Sequence, residues 1–156
     1  MAPLVIAVDD PRRADVVALL ERHLAFAHEH TPPADVHALD LTALLDPAVT
    51  FFSARRDGQL LAIGALKELD ADHGELKSMH TAAADRRTGL GRAMVLHLVG
   101  VARDRGYRRV SLETGTMEAF APARSLYAAT GFVACGPFAD YGPSPSSAFM
   151  TRELDG

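Results

Sequence analysis

The spacing of apolar positions changes repeatedly along the chain, and each change marks an element. "LVIAVDD" (4–10) is a short apolar run that predicts strand β1. Asp10 and Pro11 have the form of an N-cap followed by a proline at the first helical position. Val16, Val17, Leu20, Leu24 and Ala27 then recur at helical spacing and predict helix α1 to about residue 29. "HTPPAD" ends it, because its two prolines cannot continue a helix. "VHALDLTALL" (36–45) predicts a shorter α2 that stops before Pro47.

Two runs rich in strand formers, 49–56 and 59–69, flank Asp57-Gly58, a strong hairpin signal, and predict β2 and β3. After the turn "DADHG", the stretch "GELKSMHT" (74–81) predicts a further antiparallel strand, β4. Apolar residues at 90, 94, 98 and 101 share one face of a helix, α3, which runs to about Arg105 with Gly106 as its stop. "YRRVSLETG" (107–115) predicts β5. "APARSLYAATGF" (121–132) predicts α4, with Pro122 in its first turn and Gly131 at its end. "GFVACG" (131–136) and "SAFMTREL" (147–154) predict β6 and β7 around a Pro/Gly/Ser-rich loop, 136–146.

The expected order is β1-α1-α2-β2-β3-β4-α3-β5-α4-β6-β7. That is a mixed α/β fold on a central, mostly antiparallel twisted sheet. Residues 74–114 supply one right-handed parallel crossover, β4-α3-β5. With no internal repeat or linker, 156 residues read as a single domain, 1–156.

Composition narrows the function. The net charge of -4 supplies no basic field for nucleic acid or an acidic membrane surface. A lone cysteine, Cys135, rules out an intramolecular disulfide and a thiolate zinc site, and fits a reducing compartment. The apolar start is too short for a signal peptide, and no stretch is long and apolar enough to span a bilayer. The expectation is a cytoplasmic protein. His23, His28 and His30 stand at spacings of five and two, which do not share a helical face, so no metal site is expected.

"DRRTGLGRAM" (85–94) carries the sharpest chemical hint. Arg86, Arg87, Thr88, Gly89, Leu90, Gly91 and Arg92 sit where a strand gives way to a helix. The first N–H groups of a helix lack intrahelical partners and its dipole favours negative charge there. Glycines admit a phosphate close to the backbone, and arginines add charged hydrogen bonds. The segment is neither a P-loop, lacking Gly-Lys-Ser/Thr, nor a dinucleotide fingerprint, since the next glycine after Gly91 is Gly100. On these residues alone a helix start with incidental glycines stands beside a pyrophosphate cradle.

Residues 75–134 resemble the GNAT superfamily of acyl-CoA-dependent N-acyltransferases. The matching blocks are Arg86-x-x-Gly89-x-Gly91 after β4 and Ala123-x-x-Leu126-Tyr127-x-x-x-Gly131-Phe132 in α4, and the order of elements agrees over nearly the whole chain. The resemblance implies the GNAT fold, acetyl-CoA as co-substrate with its pyrophosphate on 86–92, and a pantetheine arm between splayed β4 and β5. That arm would bond to β4 backbone at Met79, His80 and Thr81. Packing alone is an equal reading of the Met79 and Thr81 side chains, and His80 is either a proton relay or a packing residue. Homodimers are frequent in the family.

The resemblance also implies roles at the acyl group. Tyr127 matches the tyrosine that protonates the departing thiolate; otherwise it is an ordinary helix aromatic. An amine acceptor needs a base near neutral pH. Glu75 matches a carboxylate that some members use, against the alternative of a solvated strand-end charge. Glu113 is its rival, against a buried pair with Lys77 or an arginine. Many members have an asparagine where this chain has Phe120, so its contact with the cofactor arm is missing or supplied otherwise, for instance by Ser125. His37, Lys77 and Tyr141 fall in the acceptor regions and could anchor a carboxylate or polar group. Three readings follow: an N-acetyltransferase of a small amine or amino acid, a protein or peptide N-acetyltransferase, and a non-catalytic acyl-CoA-binding module.

Overall fold

A computed structural model of the chain describes residues 2–30, 41–82 and 89–154. Its elements are β1 (Val5–Val8), α1 (Ala14–His30), α2 (Leu41–Leu44), β2 (Val49–Arg56), β3 (Gln59–Asp70), β4 (His73–Thr81), α3 (Leu90–Asp104), β5 (Arg109–Gly115), α4 (Ala121–Ala129), β6 (Val133–Cys135) and β7 (Ser147–Glu153). The order is the one expected. A 3-10 turn, Glu118–Phe120, precedes α4 and is absent from the expected order. The strands form one seven-stranded sheet in the order β1-β2-β3-β4-β5-β7-β6. Every neighbouring pair is antiparallel except β4 and β5.

Local chemistry explains most boundaries. The β2–β3 hairpin turns on Asp57 and Gly58 with φ of 52° and 78°, the two positive values that a type I′ turn needs. Helix α3 starts after Gly89 at φ 85° and is followed by Gly106 at φ 82°. Helix α1 corrects the expected start, because Asp10 is not its N-cap. The Asp10 carboxylate accepts from the Arg12 backbone N–H at 2.9 Å and from the Arg12 guanidinium, which holds residues 10–13 in a turn. Val17 N–H then bonds the Arg13 carbonyl, and the helix begins at Ala14. Its inward residues are Val16 and Leu19, whereas Leu24, expected inside, is exposed. The expected α2 is observed over Leu41–Leu44, and the earlier part of 36–45 lies outside the described residues.

The sheet separates two apolar clusters. One joins Leu66, Leu76, Val110, Leu112 and Met150 to Met94, Leu98 and Ala102 of α3 and to Tyr127 and Phe132. The other joins Val16, Leu19 and Leu44 to Phe51, Ile63 and Ala65. Helix α3 therefore covers one face, and α1 with α2 the other.

Candidate functional site

Strands β4 and β5 are paired over only three rungs, His73 with Arg109, Gly74 with Val110 and Glu75 with Ser111. Beyond Glu75 the strands part. The rest of β4 stays paired to β3, with an irregularity: Lys77 stands opposite Ala65, then His80 opposite Ile63. Ser78, at φ 55°, is the extra residue of this bulge. On the other flank β5 remains paired to β7 through Gly115. The result is a notch between two strands that are each braced from behind. The N-terminus of α3, which follows β4 in the chain, carries Gly89, Leu90, Gly91 and Arg92.

Side chains on the α1–α2 face beside the notch are polar and buried. Glu75 is only 2% exposed, which removes the reading of a solvated strand-end charge. Its Oε2 accepts from Lys77 Nζ at 3.0 Å and from the Tyr141 hydroxyl at 2.7 Å. Lys77 Nζ also donates to the Tyr141 oxygen at 2.9 Å. Burial, then the charge of Glu75 and the hydrogen bond to it, raise the Tyr141 phenol well above its ordinary value, so it stays protonated. Phe138 and Phe149 pack on the Tyr141 ring and fix the 136–146 loop over Glu75.

Two rungs back, His73 is buried and bonded to Ser111, Nε2 to Oγ at 2.7 Å. The Ser111 and Thr151 hydroxyls lie 2.9 Å apart, and Thr151 donates to the Val110 carbonyl at 3.1 Å. Because Thr151 spends its proton on a carbonyl, Ser111 donates to Thr151 and His73 Nε2–H donates to Ser111. Burial, with the charge of Arg109, holds the imidazole below its ordinary pKa. The sequence reading put His73 in a turn; it is the first residue of β4 and clamps β4 to β5 where they diverge.

Glu113 lies on the Ser111 side of β5, opposite Phe149. Of the alternative partners for Glu113, Lys77 or an arginine, the Lys77 ammonium goes instead to Glu75 and Tyr141. Tyr127 is 7% exposed and packs edge-on against Phe132, 5.9 Å between centroids. Burial, then the charge of Glu113, raise its phenol well above the ordinary value, so the hydroxyl is a proton donor at neutral pH.

Other expected site residues divide. Met79 packs beside Gly64, where an added Cβ would meet the Met79 sulfur at 2.8 Å and Met94 at the same distance. The Met79 side chain thus packs against the apolar cluster on the α3 face. Thr81 pairs with Ala62 and His80 with Ile63 along β3. An added Cβ on Gly91 would meet Leu126 at 3.0 Å, so this glycine also lets α3 approach α4. Ser125 is exposed. Arg86, Arg87, Thr88 and His37 lie outside the described residues, as do the side chains of His23, His28 and His30. Among the described residues no cluster of His, Cys, Asp or Glu could hold a metal ion, and no helix is long and apolar enough to cross a membrane.

The sequence reading missed how Phe120 is used. Its ring lies where a Cβ on Gly115 would collide with it, and Phe26 of α1 packs edge-on against it at 5.3 Å. Arg124 pins the preceding turn by donating to the carbonyls of Gly115, at 2.6 Å, and Met117, at 3.0 Å. Gly115 and Phe120 are five residues apart, and nothing in their types announces the contact.

A model of the acetyltransferase (GNAT) family matches residues 14–132. The uncharacterized N-acetyltransferase YsnE of Bacillus subtilis is 48% identical over 149 residues, covering 96% of this chain and 99% of the relative. The uncharacterized N-acetyltransferase YedL of Escherichia coli is 44% identical over 149 residues, covering 96% and 94%. Among solved structures, an acyl-CoA N-acyltransferase from Klebsiella pneumoniae superposes with a TM-score of 0.83 at 27% identity, covering 97% of this chain and 98% of the other.

Proposed function

The chain belongs to the GNAT acetyltransferase family and is an acyltransferase, and on that footing we propose that it moves the acetyl group of acetyl-CoA to the primary amine of a small molecule by direct attack in a ternary complex. Residues 1–156 are read as one acetyltransferase domain. A cytoplasmic location and a homodimer are expectations carried with this reading.

The observation that carries it is the notch. The inner edge of β4 beyond Glu75 is left without a strand partner, and backbone groups in that position call for one. Met79, His80 and Thr81 would bond the pantetheine arm there. Gly89, Leu90, Gly91 and Arg92, with Arg86, Arg87 and Thr88, would receive the pyrophosphate at the α3 N-terminus, where the free N–H groups and dipole favour an anion. The open φ of Gly89 supports this fit. Ser125 would supply the contact that Phe120 cannot.

In the reaction, the amine nitrogen bonds the acetyl carbon as the carbon–sulfur bond breaks. Glu75 or Glu113 takes the amine proton, directly or through water, and Tyr127 gives its hydroxyl proton to the departing sulfur. The buried, protonated state of Tyr127 supports the acid role. Lys77 and Tyr141, with His37, would hold a polar group of the acceptor. Tyr141 is tucked against Glu75, which favours a small acceptor over an open peptide groove.

Isothermal titration with acetyl-CoA and with CoA tests the cradle, using the wild type and the variants Arg86→Ala and Gly91→Asp. The expected result is saturable binding that both variants weaken. Absence of binding by the folded wild type would overturn the acetyl-CoA reading.

A further inference from the structure

Among the described residues one buried side-chain oxygen has no hydrogen-bond partner, the Oγ of Ser147, in a residue that is 9% exposed. A buried hydroxyl left unpaired is unfavourable, and native structures leave few of them. Its direction follows from the β5–β7 register. Thr151 stands opposite Ser111, Phe149 opposite Glu113 and Ser147 opposite Gly115. Directly opposed residues of an antiparallel pair project to the same face, and the Ser111–Thr151 contact fixes which face that is. Ser147 therefore lies on the side of the sheet that carries Glu75, Lys77 and Glu113.

Aromatic rings stand on the same face near this position. Gly115 places no side chain beside Ser147, the Phe120 ring lies over Gly115, and Phe26 backs Phe120. Two positions along β7 is Phe149, against which Tyr141 packs at 5.5 Å. The hydroxyl thus shares its face of the sheet with the rings of Phe120 and Phe149, further along β5 and β7 than Glu113.

We infer that Ser147 is a specificity-determining residue of the acceptor site, its hydroxyl donating to a carbonyl oxygen that the acceptor carries next to its amine. This rests on the N-acetyltransferase reading. The carboxylates on the same face attract the amine, so the hydroxyl is left to serve as a donor. The rings of Phe26, Phe120 and Phe149 suit an apolar side chain on the same acceptor. The substrate class is an apolar α-amino acid or its carbonyl-bearing derivative.

Three probes separate the cases: L-leucine, L-leucinamide and 3-methylbutylamine, the last being leucine without its carboxyl carbon. Thiol release from acetyl-CoA is measured for the wild type, Ser147→Ala and Ser147→Thr. The wild type is expected to prefer the two carbonyl-bearing probes by about tenfold in kcat/KM. Ser147→Ala should erase that preference by raising KM for those probes alone, Ser147→Thr should retain it, and KM for acetyl-CoA should not move. Preference for L-leucine assigns the carbonyl to a free amino acid, and preference for L-leucinamide to a neutral amide. The inference is overturned if Ser147→Ala keeps the preference, or if its effect falls on acetyl-CoA instead. It is also overturned if none of the probes is acetylated while acetyl-CoA still binds, whereas failure of acetyl-CoA binding overturns the parent reading.

Discussion

On the α3 side of the β4–β5–β7 region the sheet is apolar: Leu76, Val110, Leu112 and Met150 meet Met94, Leu98, Tyr127 and Phe132 in one cluster. One residue along each strand, the opposite face carries Glu75, Lys77, Ser111, Glu113, Thr151 and Ser147. Both faces are largely buried, but by different means. The apolar face is stable through burial alone, at about 25 cal/mol per Å² of apolar surface. On the polar face each charge must be matched, since a buried pair often does no better than an apolar pair of the same volume. An apolar replacement would hold this sheet as well, so the polar face is explained by chemistry at the notch rather than by stability. The difference teaches where stability and function divide in this fold.

The comparison is broken most sharply at Tyr127, a residue of the apolar cluster to which a chemical role is assigned. Tyr127→Phe is expected to lower kcat by about 10²-fold or more, as loss of a general acid does, while the melting temperature hardly changes. Thiol-release kinetics and a thermal melt check this together. A collapse in stability with kcat retained would assign Tyr127 wholly to the apolar core.

A smaller effect belongs to the Glu75–Lys77 pair. The two side chains are 3% and 10% exposed, so Glu75→Ala leaves an ammonium buried without its carboxylate. The expected loss is about 3–5 kcal/mol in urea unfolding. The double change Glu75→Leu with Lys77→Met should recover most of that stability and none of the activity. Recovery of activity as well would mean that the pair is structural.

The smallest effect is a pH dependence from His73. Its folded pKa lies below the ordinary value, so the unfolded chain binds a proton that the folded chain refuses. Stability from this residue is therefore lost as the pH falls through the unfolded value of about 6.5 toward the lower folded one. His73→Gln keeps a donor for Ser111 but does not titrate. Its melting temperature should fall less than that of the wild type between about pH 7 and pH 5. Equal falls would place the acid sensitivity elsewhere.

These two faces were unequally legible in the sequence. Helical spacing in 90–101 and the Asp57-Gly58 turn are local signals, and both elements formed as expected. In β5, Ser111, Leu112 and Glu113 alternate between polar face and core as a strand of period two must. What stayed hidden depends on distant partners. Tyr141 reaches Glu75 across 66 residues, and His73 meets Ser111 across 38. Nothing near Glu75 announces Tyr141, and "DADHG" reads as a turn until the parallel rung places His73 beside β5. The unpaired hydroxyl of Ser147 emerged only from the β5–β7 register, in which β7 lies between β5 and β6. The 3-10 turn at Glu118–Phe120 follows from Phe120 docking on Gly115, a tertiary cause with no local signature.

Leu112 and Glu113 are adjacent on β5 and face opposite ways, so they offer the most direct test of the central claim. The measurement is kcat for thiol release from acetyl-CoA alongside the urea midpoint, for Glu113→Gln, Glu75→Gln and Leu112→Ala. At least one glutamine variant should lose about 10²-fold or more in kcat with its midpoint close to the wild type. Leu112→Ala should lose about 2–5 kcal/mol of stability while the folded fraction keeps its kcat. Wild-type kcat in both glutamine variants would contradict the account, because the carboxylates of this face would then take no part in the chemistry.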